Sequence, residues 1–263
     1  MKPCLHGFAL ILALLWSVIA PAQPPMHEQA QAALERLDRA IAEDPRIARN
    51  YLERGDAYGQ LDDHPRAVAD YDTALTLDDA QDRAYFGRGL AFGRMGLVDE
   101  GIADLSIYIA RHPQDSMAYT KRGVRNIWRG NLQEAERDLM RAVDLDPNNA
   151  EAHDDLGVVH AKYQRIREAA QHFSAAIRLD PSYQKAYHNL AICFHVSGKH
   201  QAALEIVDAG LMLGPNHRGS LGLKAAILQA MGRTDETSGI NEHAEFLPEN
   251  PWTERSSMSD TSK

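Results

Sequence analysis

Cysteine is nearly absent: the 263-residue chain carries only Cys4 and Cys193. Two thiols build neither a disulfide framework nor a four-ligand structural zinc site. Aromatic residues are scarce, at 7%, and runs of β-branched residues are rare, so little favours sheet. Positive charge is in deficit. Twenty-eight lysines and arginines face 37 aspartates and glutamates, a formal net charge of −9. An acidic surface repels phosphate backbones and anionic lipid heads, which argues against nucleic acid as a partner. Catalytic signatures are missing too. There is no HExxH pair and no nucleophile elbow. Gly87, Gly89 and Gly93 imitate part of a phosphate loop, but Phe92 stands where the third glycine belongs. Gly198-Lys199 lacks the upstream glycine of a nucleotide loop. The sequence makes no affirmative case for an enzyme or a cofactor.

Present instead are alanine, leucine, arginine, aspartate and glutamate, a mix that favours helices. With 44% hydrophobic and 25% charged residues, the composition is globular. Lys2 is the only charge ahead of Gln23, and an apolar run extends from Gly7 to Ala20. That run is short for a membrane span, which needs about 20 residues. Ala20-Pro21-Ala22 supplies small residues where a signal peptidase cuts. Residues 1–22 are therefore expected to be a signal peptide, with Gln23 as the new N-terminus. The protein is then exported to a bacterial periplasm or secreted. The rival reading keeps the segment as an uncleaved membrane anchor. Cys4 is too early to carry lipid after cleavage.

The organising signal is internal repetition. Gly55, Gly89, Gly123 and Gly157 recur at one fixed interval, and Ala191 and Ala225 continue the series in the same step. Other columns keep the same phase. Tyr51, Tyr85, Tyr119, His153 and Tyr187 form one, and Tyr71, Leu105, Leu139, Phe173 and Val207 another. Pro113, Pro147, Pro181 and Pro215 close most units. No insertion breaks the register from residue 48 to 217.

Within a unit, positions 4, 8 and 11 share one helical face, and positions 20, 24 and 27 share another. Each unit thus reads as two amphipathic helices parted by a break near position 15, as at Gly96, Gly130 and Gly198. Small residues at positions 8, 20 and 27 allow close packing, and large ones at 4, 11 and 24 fill the remainder. A single hairpin cannot bury both faces, so the units must stack.

These columns resemble the tetratricopeptide repeat. The stretch 150–183, AEAHDDLGVVHAKYQRIREAAQHFSAAIRLDPSY, matches that pattern nearly throughout. The resemblance implies an all-α fold, an α-solenoid of stacked helix-turn-helix repeats in a right-handed superhelix. Residues 27–47 read as a capping half-repeat. Five repeats follow at 48–81, 82–115, 116–149, 150–183 and 184–217, then a degenerate sixth at 218–251 and a disordered tail at 252–263. The chain departs from the pattern at Arg54, Arg88 and Arg122, which replace the leucine before the glycine. These leave three long cationic stems at a partly packed position. Asp79 replaces one closing proline, and His153 and His160 replace large aromatics.

Histidines are the remaining candidates for chemistry. His153 and His160 are seven residues apart, as are His188 and His195. Seven residues span about 10 Å along a helix, too far for two imidazoles to share one ion at about 2 Å each. A metal or small-ligand site from His188, His195 and Asp154, assembled between repeats, is kept as an alternative. The expected assignment is no metal. His153 and His160 read as packing residues, His188 and His195 as surface. Asp154-Asp155 and Asp62-Asp63 read as solvated positions, and Cys193 as a buried, inert thiol.

Function is expected on the concave side. The family resemblance implies that positions 2, 5, 9, 12 and 13 face that groove. Its central residues are then Arg83, Phe86, Leu90 and Arg94 in the second repeat and Thr120, Val124, Ile127 and Trp128 in the third. Asp154, Val158 and Lys162 follow in the fourth, and His188, Ile192 and His195 in the fifth. An apolar strip flanked by basic residues suits a protein or peptide segment as partner. Chaperone-binding members clamp a terminal carboxylate with lysine and asparagine at positions 5 and 9 of the first repeat. Leu52 and Asp56 stand there instead, so that partner class is disfavoured.

Overall fold

The computed structural model describes residues 26–248. The signal segment expected at 1–22, Cys4 within it, and the tail expected at 252–263 lie outside the described residues. Helix α1 spans Met26–Glu43. Five helix pairs follow: α2 (Ala48–Gln60) with α3 (His64–Leu77), α4 (Asp82–Arg94) with α5 (Val98–Arg111), α6 (Ser116–Arg129) with α7 (Leu132–Leu145), α8 (Ala150–Lys162) with α9 (Ile166–Leu179), and α10 (Gln184–Val196) with α11 (His200–Leu213). Then come α12 (Arg218–Ala230), a 3₁₀ turn at Thr234–Glu236, and α13 (Ser238–Glu245). No strand occurs among the described residues.

The turns are written in side chains. Position 15 of each unit must adopt a left-handed backbone. Gly96, Gly130, Gly198 and Gly232 do so with φ between 73° and 85°, a conformation glycine takes without steric cost. Asp62 and Gln164 fill the same position in the first and fourth repeats, at φ 57° and 61°. Helix starts are capped where the sequence allows. Asp63, Asp115 and Asn149 accept backbone N–H groups of Arg66, Ala118 and Ala152, and the Nδ1 of His217 accepts that of Ser220.

Within each hairpin a small residue on the first helix meets a large one on the second. A Cβ added at Gly123 would lie 2.8 Å from Leu139 Cγ, and one at Gly157 would lie 2.6 Å from Phe173 Cε1. Gly55 abuts Tyr71 in the same way, and Gly89 abuts Leu105. In the fifth repeat the glycine becomes Ala191 and its partner shrinks to Val207, both buried in one cluster. Volume is conserved across the pair, as close packing requires.

The three arginine stems are not loosely placed. Arg54 grips Asp70 with Nε and Nη2, both at 2.7 Å. Arg88 grips Asp104 at 2.7 and 2.8 Å, and Arg122 grips Asp138 at 2.9 and 2.7 Å. Each aspartate is buried, and each pair ties the first helix of a repeat to the second. The third guanidinium nitrogen reaches back one repeat: Arg54 to Asp38, Arg88 to Asp72 and Arg122 to Ser106 Oγ. One arginine thus joins three helices. From the fourth repeat the device disappears. Leu156 and Leu190 stand in the arginine column, and His172 and Ile206 in the aspartate column.

Curvature follows from which helices touch. Each first helix meets the first helix of the next repeat, from α2 with α4 through to α10 with α12. Successive second helices, such as α3 and α5, make no such contact among the described residues. The stack therefore bends with its first helices on the inner side.

Candidate functional site

The inner face is built by α4, α6, α8 and α10. Phe86 is half-buried, its ring 5.0 Å from that of Tyr108. Leu90, Val124, Ile127, Trp128 and Val158 are also half-buried. Ile127 packs beside Leu139 and Leu156, and Val158 beside Phe173 and Leu190. The Arg125 guanidinium lies over the Trp128 ring at 5.2 Å. Ile192 is exposed, and so is Val196 one turn further on, at 60%. Val196 was not among the residues named for the fifth repeat, although it stands at position 13, the place Trp128 holds in the third. A graded apolar surface therefore runs across four consecutive first helices.

Two expected groove residues are not on the surface. Thr120 is fully buried: its hydroxyl donates to Ser116 O and accepts from Asn149 Nδ2. Asp154 is also fully buried. Its Oδ1 accepts from Asn189 Nδ2 at 3.0 Å, and its Oδ2 lies 2.8 Å from Lys185 Nζ. The neighbouring Asp155, buried too, lies 3.0 Å from the same ammonium. The aspartate pair expected to be solvated is an internal ion cluster bridging the fourth and fifth repeats. Two carboxylates share one lysine there. Burial pushes the Asp155 carboxyl up to about 6 and Asp154 adds to the rise, while Lys185 opposes it.

The basic flank is also partly consumed. Arg83 is exposed but donates to Asp56 at 2.7 Å, and Lys121 pairs with Glu151 at 2.6 Å. Arg94 and Lys162 are exposed and make no ion pair among the described residues.

His188, His195 and Asp154 do not converge. His188 Nδ1 lies 3.1 Å from Ser220 Oγ, and its ring meets His217 edge-on at 5.5 Å. His195 Nδ1 lies 3.2 Å from His200 Nδ1. Among the described residues, no group of three or more histidines, cysteines or acidic residues is arranged to hold a metal ion. His153 and His160 flank His172 of the partner helix, which the sequence reading did not single out. Burial pushes His172 and His188 down to about 4. Cys193 is buried, and burial pushes its thiol up to about 11. The burial expected of it is there, and a thiol raised in this way is a poor nucleophile at neutral pH.

No helix among the described residues is long and apolar enough to cross a membrane. No curated protein sequence matches the chain. Three family models do match. One described as TPR repeat covers residues 55–96, and two described as tetratricopeptide repeat cover 86–150 with 128–183, and 160–227. Among solved structures, YrrB, described as a TPR protein with an unusual peptide-binding site, is 25% identical. It superposes with a TM-score of 0.57 over 73% of this chain and 98% of that one. The APC/C hetero-tetramer Cut9–Hcn1 gives 17% identity and a TM-score of 0.68 over 84% and 47%. Pseudomonas aeruginosa pilF gives 15% and 0.67 over 89% and 100%. At such identities the last two speak for the fold alone. The repeat models together run from residue 55 to 227 and coincide with the helix pairs of the stack, so the chain belongs to the tetratricopeptide-repeat family.

Proposed function

We propose that this protein is a non-catalytic scaffold that binds an extended protein segment along the inner face of its solenoid, in the bacterial cell envelope. The observation that carries this reading is the apolar surface formed by Phe86, Leu90, Val124, Ile127, Val158 and Ile192 on consecutive first helices. Exposed apolar surface rimmed by polar residues marks interaction sites. Each anchor fully covered by a partner contributes about 1.5–3 kcal/mol. Arg94 and Lys162, exposed and outside the internal ion pairs, supply orientation to a partner's carboxylates. The likeness to a TPR protein with a peptide-binding site supports the partner class. The apolar run at residues 7–20 and the small residues after it support export.

The Phe86→Asp/Ile127→Asp variant is expected to lose partner capture from envelope extracts, with affinity falling about a hundredfold or more. Circular dichroism verifies that it remains helical. Ile192→Asp changes an exposed side chain and leaves the core untouched, so its weaker binding separates recognition from folding. Full retention of partners by both folded variants rules this face out.

A further inference from the structure

The histidines of the fourth repeat form a contact that the binding face does not use. His153 on α8 and His172 on α9 present their Nδ1 atoms to each other at 3.2 Å. The Nε2 of His153 lies 3.2 Å from the Pro147 carbonyl oxygen. A carbonyl only accepts, so Nε2 carries the proton and Nδ1 of His153 holds a lone pair on the side of its ring that faces His172. This is the arrangement by which metal-ligating histidines are held, with the second ring nitrogen donating to a backbone carbonyl. The two rings sit on the two helices of one hairpin, so packing fixes their separation.

We infer that His153 and His172 form a two-imidazole site for a borderline divalent cation of the zinc, nickel or copper class. Two metal–nitrogen bonds of about 2.1 Å spanning 3.2 Å subtend about 100°, between the octahedral and tetrahedral angles. Binding needs the His172 proton to move from Nδ1 to Nε2, a tautomer change with no net proton release. Both rings are half-buried rather than sealed in the core, and water would complete the coordination sphere of a bound ion. His160 stacks on His172 at 5.2 Å and keeps that ring in place. With two protein ligands the site is exchangeable, unlike a closed four-ligand one.

The test is isothermal titration of zinc chloride into the full chain at pH 7.4, free of any affinity tag. All proteins carry His195→Gln, which removes the other pair of histidines whose ring nitrogens lie within hydrogen-bond distance of each other among the described residues. One zinc is expected to bind with micromolar affinity. His172→Gln and His153→Gln, shown folded by circular dichroism, are each expected to weaken it about tenfold or more. Absence of zinc binding up to millimolar concentration overturns the proposal. So does an affinity unchanged in either folded variant. Neither result bears on the apolar face, whose readout is partner capture without metal.

Discussion

Arg122→Leu is expected to destabilise the protein by about 3–5 kcal/mol, whereas Arg122→Leu/Asp138→Ile loses far less or nothing. Asp138 is buried and accepts from Arg122 at two nitrogens and from Asn126 at 3.1 Å. Removing only the arginine strands a buried carboxylate, which costs about 3–5 kcal/mol. Removing both charges discards two desolvation penalties together with their attraction, and apolar replacements are often neutral or stabilising. The chain has already made that exchange itself. Leu190 and Ile206 occupy the two columns in the fifth repeat and pack in one cluster. Urea denaturation monitored by helicity measures both variants. A double variant as damaged as the single one would show that the pair acts through geometry that leucine and isoleucine cannot replace. Because stability in a repeat stack is shared among neighbours, the single variant should open first around α5, α6 and α7.

Acid is expected to loosen the other half of the stack. The His188 imidazole faces His217 and Ser220, and burial pushes it down to about 4. His172, facing His153 and His160, is lowered to about 4 as well. An unfolded histidine titrates near 6.5. Above pH 6.5 neither state binds the proton and the folded state keeps its full stability. As the pH falls from about 6.5 towards 4, the unfolded chain takes up protons that the folded chain refuses, and stability is lost. His188 accounts for about 3 kcal/mol of that loss. His172 is less deeply buried and contributes less, through solvent screening. His160 and His217 are lowered by burial and act in the same direction. Asp155 opposes them, since its raised carboxyl takes up a proton in the folded state over the same window. Comparing urea midpoints of wild type and His188→Gln at pH 7 and pH 4.5 isolates the imidazole, because Asp155 titrates in both. The wild type is expected to lose more stability on acidification. Parallel losses in the two proteins would refute the assignment.

The helical rhythm was legible because it rests on a column repeated in every unit. Gly123 and Leu139 hold the same phase as Gly89 and Leu105 one unit earlier, and the small–large pairing that phase requires is what the core contains. The arginine stems were legible as departures, but their partners were not. Asp70, Asp104 and Asp138 lie on the second helix and form a column of their own. The clue was that both columns change together at Leu156 and His172. Asp154 and Asp155 were misread because their cation, Lys185, belongs to the next repeat. A carboxylate pair on one helix looks solvated until the neighbouring unit is placed against it. The histidine contacts escaped for a related reason. Spacing along a single helix correctly separates His153 from His160 but is blind to His172, which the hairpin folds between them. Position in the repeat put Thr120 on the inner side, yet its hydroxyl is committed to Ser116 and Asn149.

The most direct measurement of recognition by the inner face is site-specific photocrosslinking in living cells. A photoreactive residue replaces either Ile192, exposed on the inner helix α10, or Met140, 53% exposed on α7 of the second-helix layer. Adducts to a partner protein from position 192, with none from 140, are the predicted outcome. Adducts from 140 alone, or equal yields from both, would contradict it.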